Sequence, residues 1–295
     1  MELKILNWLI SFFQKLKKSL SNGIDELVYM KYVIEFGERD DDIYVSTFMK
    51  SGTTWMQMIL YQLTTDGEIT FNHIYDVSPW LRNLASRKGV IPKDLPSPRI
   101  IKMHDAYEKV PKGKPGRFIY VMRDGIDVSN SLWHHRRNYV THKLSFSENF
   151  DTSFVENGSM NWFHFNAEWL MNKNKHKMLY VRYEDLKNDF DKEINRISAF
   201  IGITLTPEIL QRTKQRASFS FMKMHETKFG EQPPEDKFDR VYDQFIRSGS
   251  MGEGFEKIST EELRVYCQKM KEILPISPLL FDYFKKANAE LSNRT

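Results

Sequence analysis

The segment Tyr44–Leu60 reads as a short apolar strand, a tight loop and an amphipathic helix. The loop, Lys50–Thr54, contains one lysine, one glycine and three hydroxyl side chains. This composition before a helix is typical of an oxyanion site, because backbone N–H groups and the positive end of the helix dipole face the anion. Lysine adds a point charge, and glycine allows a close backbone approach. We name Lys50–Thr54 the first anion loop and expect it to bind phosphate or sulfate.

The alternation of strand and helix patterns predicts the fold class. Apolar, β-branched runs predict strands at 42–48, 99–104, 117–123 and 177–183. Helical patterns follow at 53–64, 128–137 and 189–201. The sequence therefore predicts an α/β fold with a central parallel β-sheet flanked by helices.

Capping signals predict two further helices. Thr206 and Pro207 are an N-cap followed by proline at the first helical position. Ser259 and Glu262 form a capping box, and the helix that follows places Cys267 on its apolar face as a packing residue.

Three long stretches, 65–98, 138–160 and 222–246, have no clear periodicity but many aromatic residues. Disordered segments are poor in aromatics, so these stretches are predicted to be lids over an apolar pocket.

Composition limits the function classes. The chain has 295 residues, 41% of them hydrophobic, and a net charge of only +4, which does not indicate nucleic-acid binding. Its single cysteine excludes an intramolecular disulfide and a multi-cysteine metal site, and it fits a reducing compartment.

The N-terminus is predicted to be an amphipathic extension, residues 1–30, before a single domain at 31–295. One helical face of residues 4–20 carries only apolar residues, with Lys15, Lys17 and Lys18 outside it. The apolar run is too short to cross a bilayer. Two interpretations stay open: the helix packs on its own domain or a partner, or it lies on an anionic membrane surface.

A second strand–loop–helix unit, Arg117–Trp133, places Arg123 at the strand end and Ser131 in the early helix. An arginine fork and a hydroxyl at a helix start suit a second phosphate. The alternative is an ion pair of Arg123 with Asp124 or Asp127. Parallel strands would bring both loops to one sheet edge, which predicts a ligand with phosphates at two ends.

The first anion loop is not a Walker A motif, because its lysine precedes a single glycine. This order disfavours a nucleotide kinase.

These motifs together resemble the cytosolic-type sulfotransferases, which use 3′-phosphoadenosine 5′-phosphosulfate (PAPS). The resemblance covers about residues 40–257. It rests on Lys50–Trp55, on Arg123 with Ser131, on the strand Leu179–Leu186 with its Tyr-Glu-Asp, and on Arg247–Gly252. It implies a P-loop-like nucleotide-binding sulfotransferase fold.

The resemblance also implies site residues. Those for the nucleotide are Lys50, Ser51, Gly52, Thr53, Thr54, Trp55, Arg123, Ser131, Tyr183, Ser218, Phe219, Arg247 and Gly249. The first anion loop holds the 5′-phosphate, Trp55 stacks on adenine, and both arginines contact the 3′-phosphate. The catalytic residues are His104, Lys50 and Lys102.

His104 ends the predicted strand at 99–104 and matches the family's Lys-x-His. The resemblance makes it the base that removes the acceptor proton, a role suited to a group titrating near neutral pH. Lys102 lies on the same strand face and adds positive charge. The resemblance implies that Lys50 stabilises the leaving group in an in-line sulfuryl transfer, and no metal is expected.

The chain also departs from the family. Arg247–Gly249 has serine where the family usually has lysine, and Gly252–Phe255 replaces Gly-Asp-Trp. The animal-type dimer motif is absent, so that dimer is not predicted. An inactive PAPS-binding module is the alternative function, but the presence of both His104 and Lys50 argues against it. The predicted acceptor is a hydroxyl of a small molecule, lipid or glycolipid. The predicted location is the cytoplasm, with peripheral membrane association open.

Overall fold

The computed structural model describes residues 2–110, 113–156, 158, 160–172, 175–230 and 245–295. Within the first helix, side chains are described from Ser11 onward, except that of Lys18.

The centre of the fold is a four-stranded parallel sheet with strand order β2-β1-β3-β4. Its strands are β1 (Ile43–Thr47), β2 (Ile100–Met103), β3 (Arg117–Met122) and β4 (Lys177–Arg182). The predicted strands are confirmed, each one or two residues shorter than expected. Ile43 lies opposite both Ile100 and Arg117, so the carboxyl ends of the three strands meet at one edge.

Helices surround this sheet. The N-terminal part of the chain contains α1 (Glu2–Phe36), α2 (Thr53–Thr64), α3 (Leu81–Arg87), α4 (Gly125–Tyr139), α5 (Phe146–Phe150) and α6 (Trp162–Met171). The C-terminal part contains α7 (Tyr183–Asn188), α8 (Phe190–Ile201), α9 (Pro207–Arg216), α10 (Phe219–Met224), α11 (Thr260–Ile273) and α12 (Phe281–Arg294).

Two apolar clusters cover the two faces of the sheet. Alternate residues of β1 point to opposite clusters, as period-two strands require: Tyr44 into one, Ile43 and Val45 into the other. The cluster with Tyr44 takes residues of α6, α11 and α12, whereas the other takes residues of α2 and α8. This arrangement confirms the predicted α/β fold.

The capping predictions are also confirmed. Thr206 accepts a hydrogen bond from the backbone of Ile209, and Ser259 and Glu262 form both halves of a capping box. Cys267 is buried in the core.

The expectation of long irregular lids is wrong for much of 65–98 and 138–160. These stretches contain α3 and α5, and α5 begins with a capping box between Ser145 and Glu148 that the sequence reading missed. Phe150 and Phe154 stack on each other in the core, so they are packing residues and not lid residues. Residues 231–244 of the third stretch lie outside the described residues.

The N-terminal helix extends well beyond residue 20, as one 35-residue helix. Its last turns pack on α3 and on the sheet through Tyr29, Val33 and Phe36. The division into 1–30 and 31–295 stays a prediction. Among the described residues, no helix has the length and apolar content to cross a membrane.

A buried ion pair joins the end of α1 to the sheet. Nε of Arg99 donates to Oδ1 of Asp42 at 2.7 Å, and a terminal nitrogen donates to Oδ2 at 2.7 Å. Arg99 also donates to the carbonyl of Phe36 at 3.1 Å and lies over the Phe36 ring. The two charged side chains are almost fully buried.

We expect Arg99→Leu to lower the free energy of unfolding by about 3–5 kcal/mol, because it leaves the Asp42 carboxylate buried without its partner. Urea denaturation measures this. The matched control is Arg264→Leu, which removes an arginine from an exposed contact with Glu261 on α11 and should cost below about 1 kcal/mol. Equal losses in the two variants would contradict the assignment.

Candidate active site

The first anion loop follows β1 and leads directly into α2. Its backbone is left-handed at Lys50 (φ 66°) and at Gly52 (φ 103°). A Cβ on Gly52 would lie 2.9 Å from the ring of Tyr183, so this position requires glycine for both conformation and space. The loop therefore leaves room in front of the N-terminus of α2, where an anion would bind.

Hydroxyl groups tie the loop to the strand before it. Oγ1 of Thr47, the last residue of β1, lies 2.6 Å from Oγ1 of Thr53. Ser51 is buried, and its hydroxyl has no hydrogen-bond partner among the residues that the structure describes. Among the predicted site residues, Ser51 alone does not line the cavity described below.

The second anion site lies at the end of β3. Arg123 donates to the carbonyl of Ser250 at 2.9 Å, and its guanidinium lies 4.4 Å from the centre of the Tyr183 ring. Ser131, on α4, lines the same cavity. The alternative, an ion pair of Arg123 with Asp124 or Asp127, does not form, although the structure describes all three side chains. The two carboxylates accept hydrogen bonds from backbone N–H groups instead.

A loop from Arg247 to Gly254, which we name the late loop, closes this side of the cavity. Asp127 holds it by accepting hydrogen bonds from the backbone of Gly252 at 2.7 Å and Gly254 at 3.1 Å. The sequence reading missed this role, because the contact spans more than 120 residues. The only local signal was an acidic residue in the first turn of α4.

In the late loop, a residue that departs from the family pattern contacts one that keeps it. Glu253 contacts the guanidinium of Arg247. Burial opposes ionisation of Glu253, but the hydrogen bonds from Arg247, Ser248 and Ser250 and the charge of Arg247 together outweigh burial and lower the pKa of that carboxyl. The acidic residue therefore orients an arginine that faces the cavity.

An aromatic wall lies beyond the first anion loop. Trp55 donates from Nε1 to the carbonyl of Ala217 at 2.8 Å and packs edge-on against Tyr183 and face-on against Phe190. Ser218 caps α10, and Phe219 is partly exposed at the cavity. A planar base could stack here. Phe190 was not predicted as a site residue.

His104 lies one residue beyond β2. Its Nδ1 is 2.9 Å from the carbonyl oxygen of Thr47 and 3.1 Å from the hydroxyl of the same residue. The hydroxyl can donate or accept, but a carbonyl oxygen only accepts, so the shorter contact assigns the proton to Nδ1 and leaves Nε2 as the nitrogen that can take up a proton. The ring also packs edge-on against Trp80 at 5.2 Å.

Lys102 and Lys50 bring positive charge to the same cavity. Nζ of Lys102 donates to the hydroxyl of Tyr75 at 2.8 Å and lies 4.3 Å from the Trp80 ring centre. Nζ of Lys50 lies 4.5 Å from the centre of the Phe245 ring. The sequence reading did not identify Tyr75, Trp80 or Phe245 as individual site residues.

One cavity of about 390 Å³ joins the two anion sites, the aromatic wall, His104 and both lysines. Its size is that of a small-molecule site. The predicted residues that line it are Lys50, Gly52, Thr53, Thr54, Trp55, Lys102, His104, Arg123, Ser131, Tyr183, Ser218, Phe219, Arg247 and Gly249.

The chain matches the family described as "Sulfotransferase domain" over residues 40–273. It belongs to the PAPS-dependent cytosolic sulfotransferase family. Sulfotransferase 1B1 of Mus musculus is 32% identical over 257 residues, which cover 80% of this chain and 85% of that protein. This chain is therefore an enzyme of the PAPS-dependent sulfotransferase class.

Solved structures agree in fold. Mouse sulfotransferase SULT7A1 complexed with PAP (adenosine 3′,5′-bisphosphate) has a TM-score of 0.67 and 21% identity, covering 88% of this chain and 94% of that one. Retinol dehydratase in complex with androsterone and inactive cofactor PAP has a TM-score of 0.68 and 17% identity, covering 83% and 85% of the two chains.

Asp124 provides a pH-sensitive element beside the site. Burial raises the pKa of its carboxyl to about 7, and repulsion from Asp127 and Glu184 adds to the effect despite the opposing charge of Lys286. The folded pKa thus exceeds the unfolded value of about 4. The contribution of Asp124 to stability is fully present below about pH 4 and is lost as pH rises through about 7.

We expect Asp124→Asn to remove this loss, because asparagine keeps the N-cap of α4 and has no charge to bury. Urea midpoints measured from pH 5 to 8 should decline less in the variant than in the wild type. Asp189→Asn, at the exposed N-cap of α8, controls for the substitution itself. A variant profile that parallels the wild type would contradict the role of Asp124.

Proposed function

We propose that this sulfotransferase moves the sulfuryl group of PAPS to an acceptor hydroxyl, with His104 as the general base. The observation that carries the proposal is the contact of His104 Nδ1 with the Thr47 carbonyl oxygen. This contact assigns the proton to Nδ1, so Nε2 is the basic nitrogen. Lys50 and Lys102 line the same cavity. We propose that no metal is needed, since lysine and arginine supply the positive charge.

The residues present fit the nucleotide. Gly52, where an added Cβ would clash, leaves space for one phosphate, and the two arginines suit a second phosphate. The aromatic wall suits a base. We propose that the first anion loop, including Ser51, Thr53 and Thr54, holds the 5′-phosphosulfate. Arg123, Ser131 and the late loop residues Arg247 and Gly249 hold the 3′-phosphate, and Trp55, Tyr183, Ser218 and Phe219 surround adenine.

The residues then act in sequence on the reacting atoms. His104 Nε2 takes the acceptor proton as the acceptor oxygen bonds to sulfur. The bond from sulfur to the bridging oxygen breaks, and this oxygen leaves with the electron pair. Lys50 and the N–H groups at the start of α2 stabilise the charge that develops there. Lys102 stabilises the sulfuryl oxygens.

The acceptor side of the cavity is apolar. Met49, Trp80 and Phe245 line it near the two lysines. We propose a hydroxyl on a small apolar molecule, a lipid or a glycolipid, which agrees with the androsterone bound to the structural relative. We also propose a cytoplasmic location, with contact to a membrane surface through α1. A catalytically inactive PAPS-binding module is the second candidate, and the orientation of His104 argues against it.

We expect His104→Ala to lower transfer of labelled sulfate from PAPS to a panel of phenols and alcohols by about 10²–10⁴-fold. PAP affinity, measured by calorimetry, should stay within about twofold, since a base for the acceptor contributes little to nucleotide binding. His142→Ala, on the exposed surface, is the control. A large loss of PAP affinity would mean that the histidine is misassigned, and wild-type binding without any transfer would favour the inactive module.

We expect Arg123→Met to weaken PAP binding by about 10–100-fold, because it removes charge-assisted hydrogen bonds to the 3′-phosphate. The affinity for adenosine 5′-phosphate, which lacks that phosphate, should fall only a few-fold in the same variant. The control is Arg137→Met, an exposed arginine on α4. Equal losses for both nucleotides would show that Arg123 supports the loops and does not read the 3′-phosphate.

A further inference from the structure

Residues 11–25 of α1 extend into solvent. Every described side chain from Ser11 to Asp25 is exposed, and within the described part of the helix the packing on the domain comes from its C-terminal turns. At 1.5 Å per residue, a 35-residue helix is about 52 Å long. Large apolar side chains on such a helix would stay in contact with water.

An apolar stripe runs along α1 on the face away from the domain. It consists of Phe12, Phe13, Leu16, Leu20, Ile24, Leu27, Met30 and Ile34, each between 44% and 75% exposed. At 100° per residue these positions fall within about a third of the helix circumference. Tyr29, Val33 and Phe36, which pack on the domain, lie on the opposite side. The stripe therefore continues past the folded domain without turning toward it.

Exposed apolar patches of this extent mark interaction sites. The stripe is longer than the sequence pattern indicated, because it extends from the exposed residues 11–25 onto the last turns of α1, which pack on the domain. A flat surface could contact its whole length at once, with the domain behind it.

The charges around the stripe favour an anionic lipid surface. Residues 1–25 contain four lysines, Lys4, Lys15, Lys17 and Lys18, and two acidic residues, Glu2 and Asp25. Farther along, Glu26 faces the domain and contacts Arg82 and Lys109, and Glu35 contacts Lys31. Residues 1–25 thus carry a surplus of positive charge together with many apolar side chains, the composition of interfacial helices.

A second copy of the helix fits this sequence less well. Phe13, Leu20, Leu27 and Ile34 repeat every seven residues, as in a coiled coil. However, eight of the eleven residues from Leu3 to Phe13 are apolar. A two-helix seam buries only a narrow part of the circumference, so it would leave several of these in water. Gly23 would also leave a gap at a seam position.

We propose that the outer face of α1, from Phe12 to Ile34, docks on an anionic lipid bilayer and holds the enzyme at the membrane surface. Apolar side chains enter the interface between headgroups and acyl chains, and lysines contact anionic headgroups. Delivery of a lipid acceptor to the cavity rests on the proposed function, whereas the docking itself does not.

Co-flotation of the full chain with vesicles tests the docking. The probes are vesicles of phosphatidylcholine with phosphatidylserine and vesicles of phosphatidylcholine alone, at low and high salt. We expect the wild type to float with the anionic vesicles and to float less at high salt, since salt screens the lysines. Leu20→Glu/Leu27→Glu should lower the bound fraction about tenfold or more, because two charges would enter the apolar region.

The matched control is Ser21→Glu/Asn22→Glu, which adds the same two charges to exposed positions outside the stripe. It should retain most of the binding. Light scattering with size exclusion gives the mass of each variant, and sulfate transfer to a soluble phenol shows that each is folded. Docking with no transfer would leave this proposal standing and count against the proposed reaction.

Three results would overturn the proposal. The first is a wild type that does not float, and the second is a stripe variant that floats as well as the wild type. The third is a wild-type dimer that Leu20→Glu/Leu27→Glu dissociates without any vesicle binding, which would make a second copy of the chain the occupant of the stripe.

Discussion

The parallel pairing of β1 with both β2 and β3 is the constraint on which the site depends. Because the three strands run in the same direction, their carboxyl ends lie side by side. The chain leaves β1 into the first anion loop, leaves β2 at His104 and leaves β3 at Arg123. An antiparallel partner in this sheet would carry its functional residue to the opposite edge, about 15–20 Å away.

Thr47, which has no proposed chemical role, positions residues that have one. The carbonyl of Thr47 orients the imidazole of His104, and the hydroxyl of the same residue contacts Thr53 at the start of α2. Thr47 thus links the proposed base to the proposed phosphate loop through one short strand end. A change in the pairing of β1 would disturb the two together.

The far side of the cavity depends on a different kind of contact. Asp127, in the first turn of α4, holds the late loop by two backbone hydrogen bonds. The Arg123 guanidinium reaches the carbonyl of Ser250 in the same loop. The late loop is therefore tied to the second anion site at Ser250, Gly252 and Gly254, and Glu253 takes part by orienting Arg247. This contact gives a structural role to a residue that departs from the family pattern.

The N-terminal helix combines an end that packs on the domain with an exposed part at residues 11–25. Arg99 joins the end of α1 to Asp42 at the start of the sheet, so this buried ion pair and the packing of Tyr29, Val33 and Phe36 together set the orientation of the helix. The exposed apolar stripe on its outer face then has a fixed direction relative to the domain. Docking through that stripe would orient the whole enzyme, including the cavity, on the membrane.

The sequence by itself determined the α/β class, the four strands, the main helix starts and the composition of both anion sites. These features are local, because periodicity, caps and loop residues act within a few positions. It missed α3 and α5 because short helices with aromatic residues have weak periodicity, and it took Phe150 and Phe154 for lid residues.

Only the tertiary structure decided which distant residues meet. The contact of Thr47 with His104 spans 57 residues, and that of Asp127 with Gly252 spans 125. The direction of the α1 stripe was equally beyond sequence reading, since an apolar face can turn to its own domain or away from it. That choice depends on the packing of Tyr29, Val33 and Phe36, which already fill the side that faces the core.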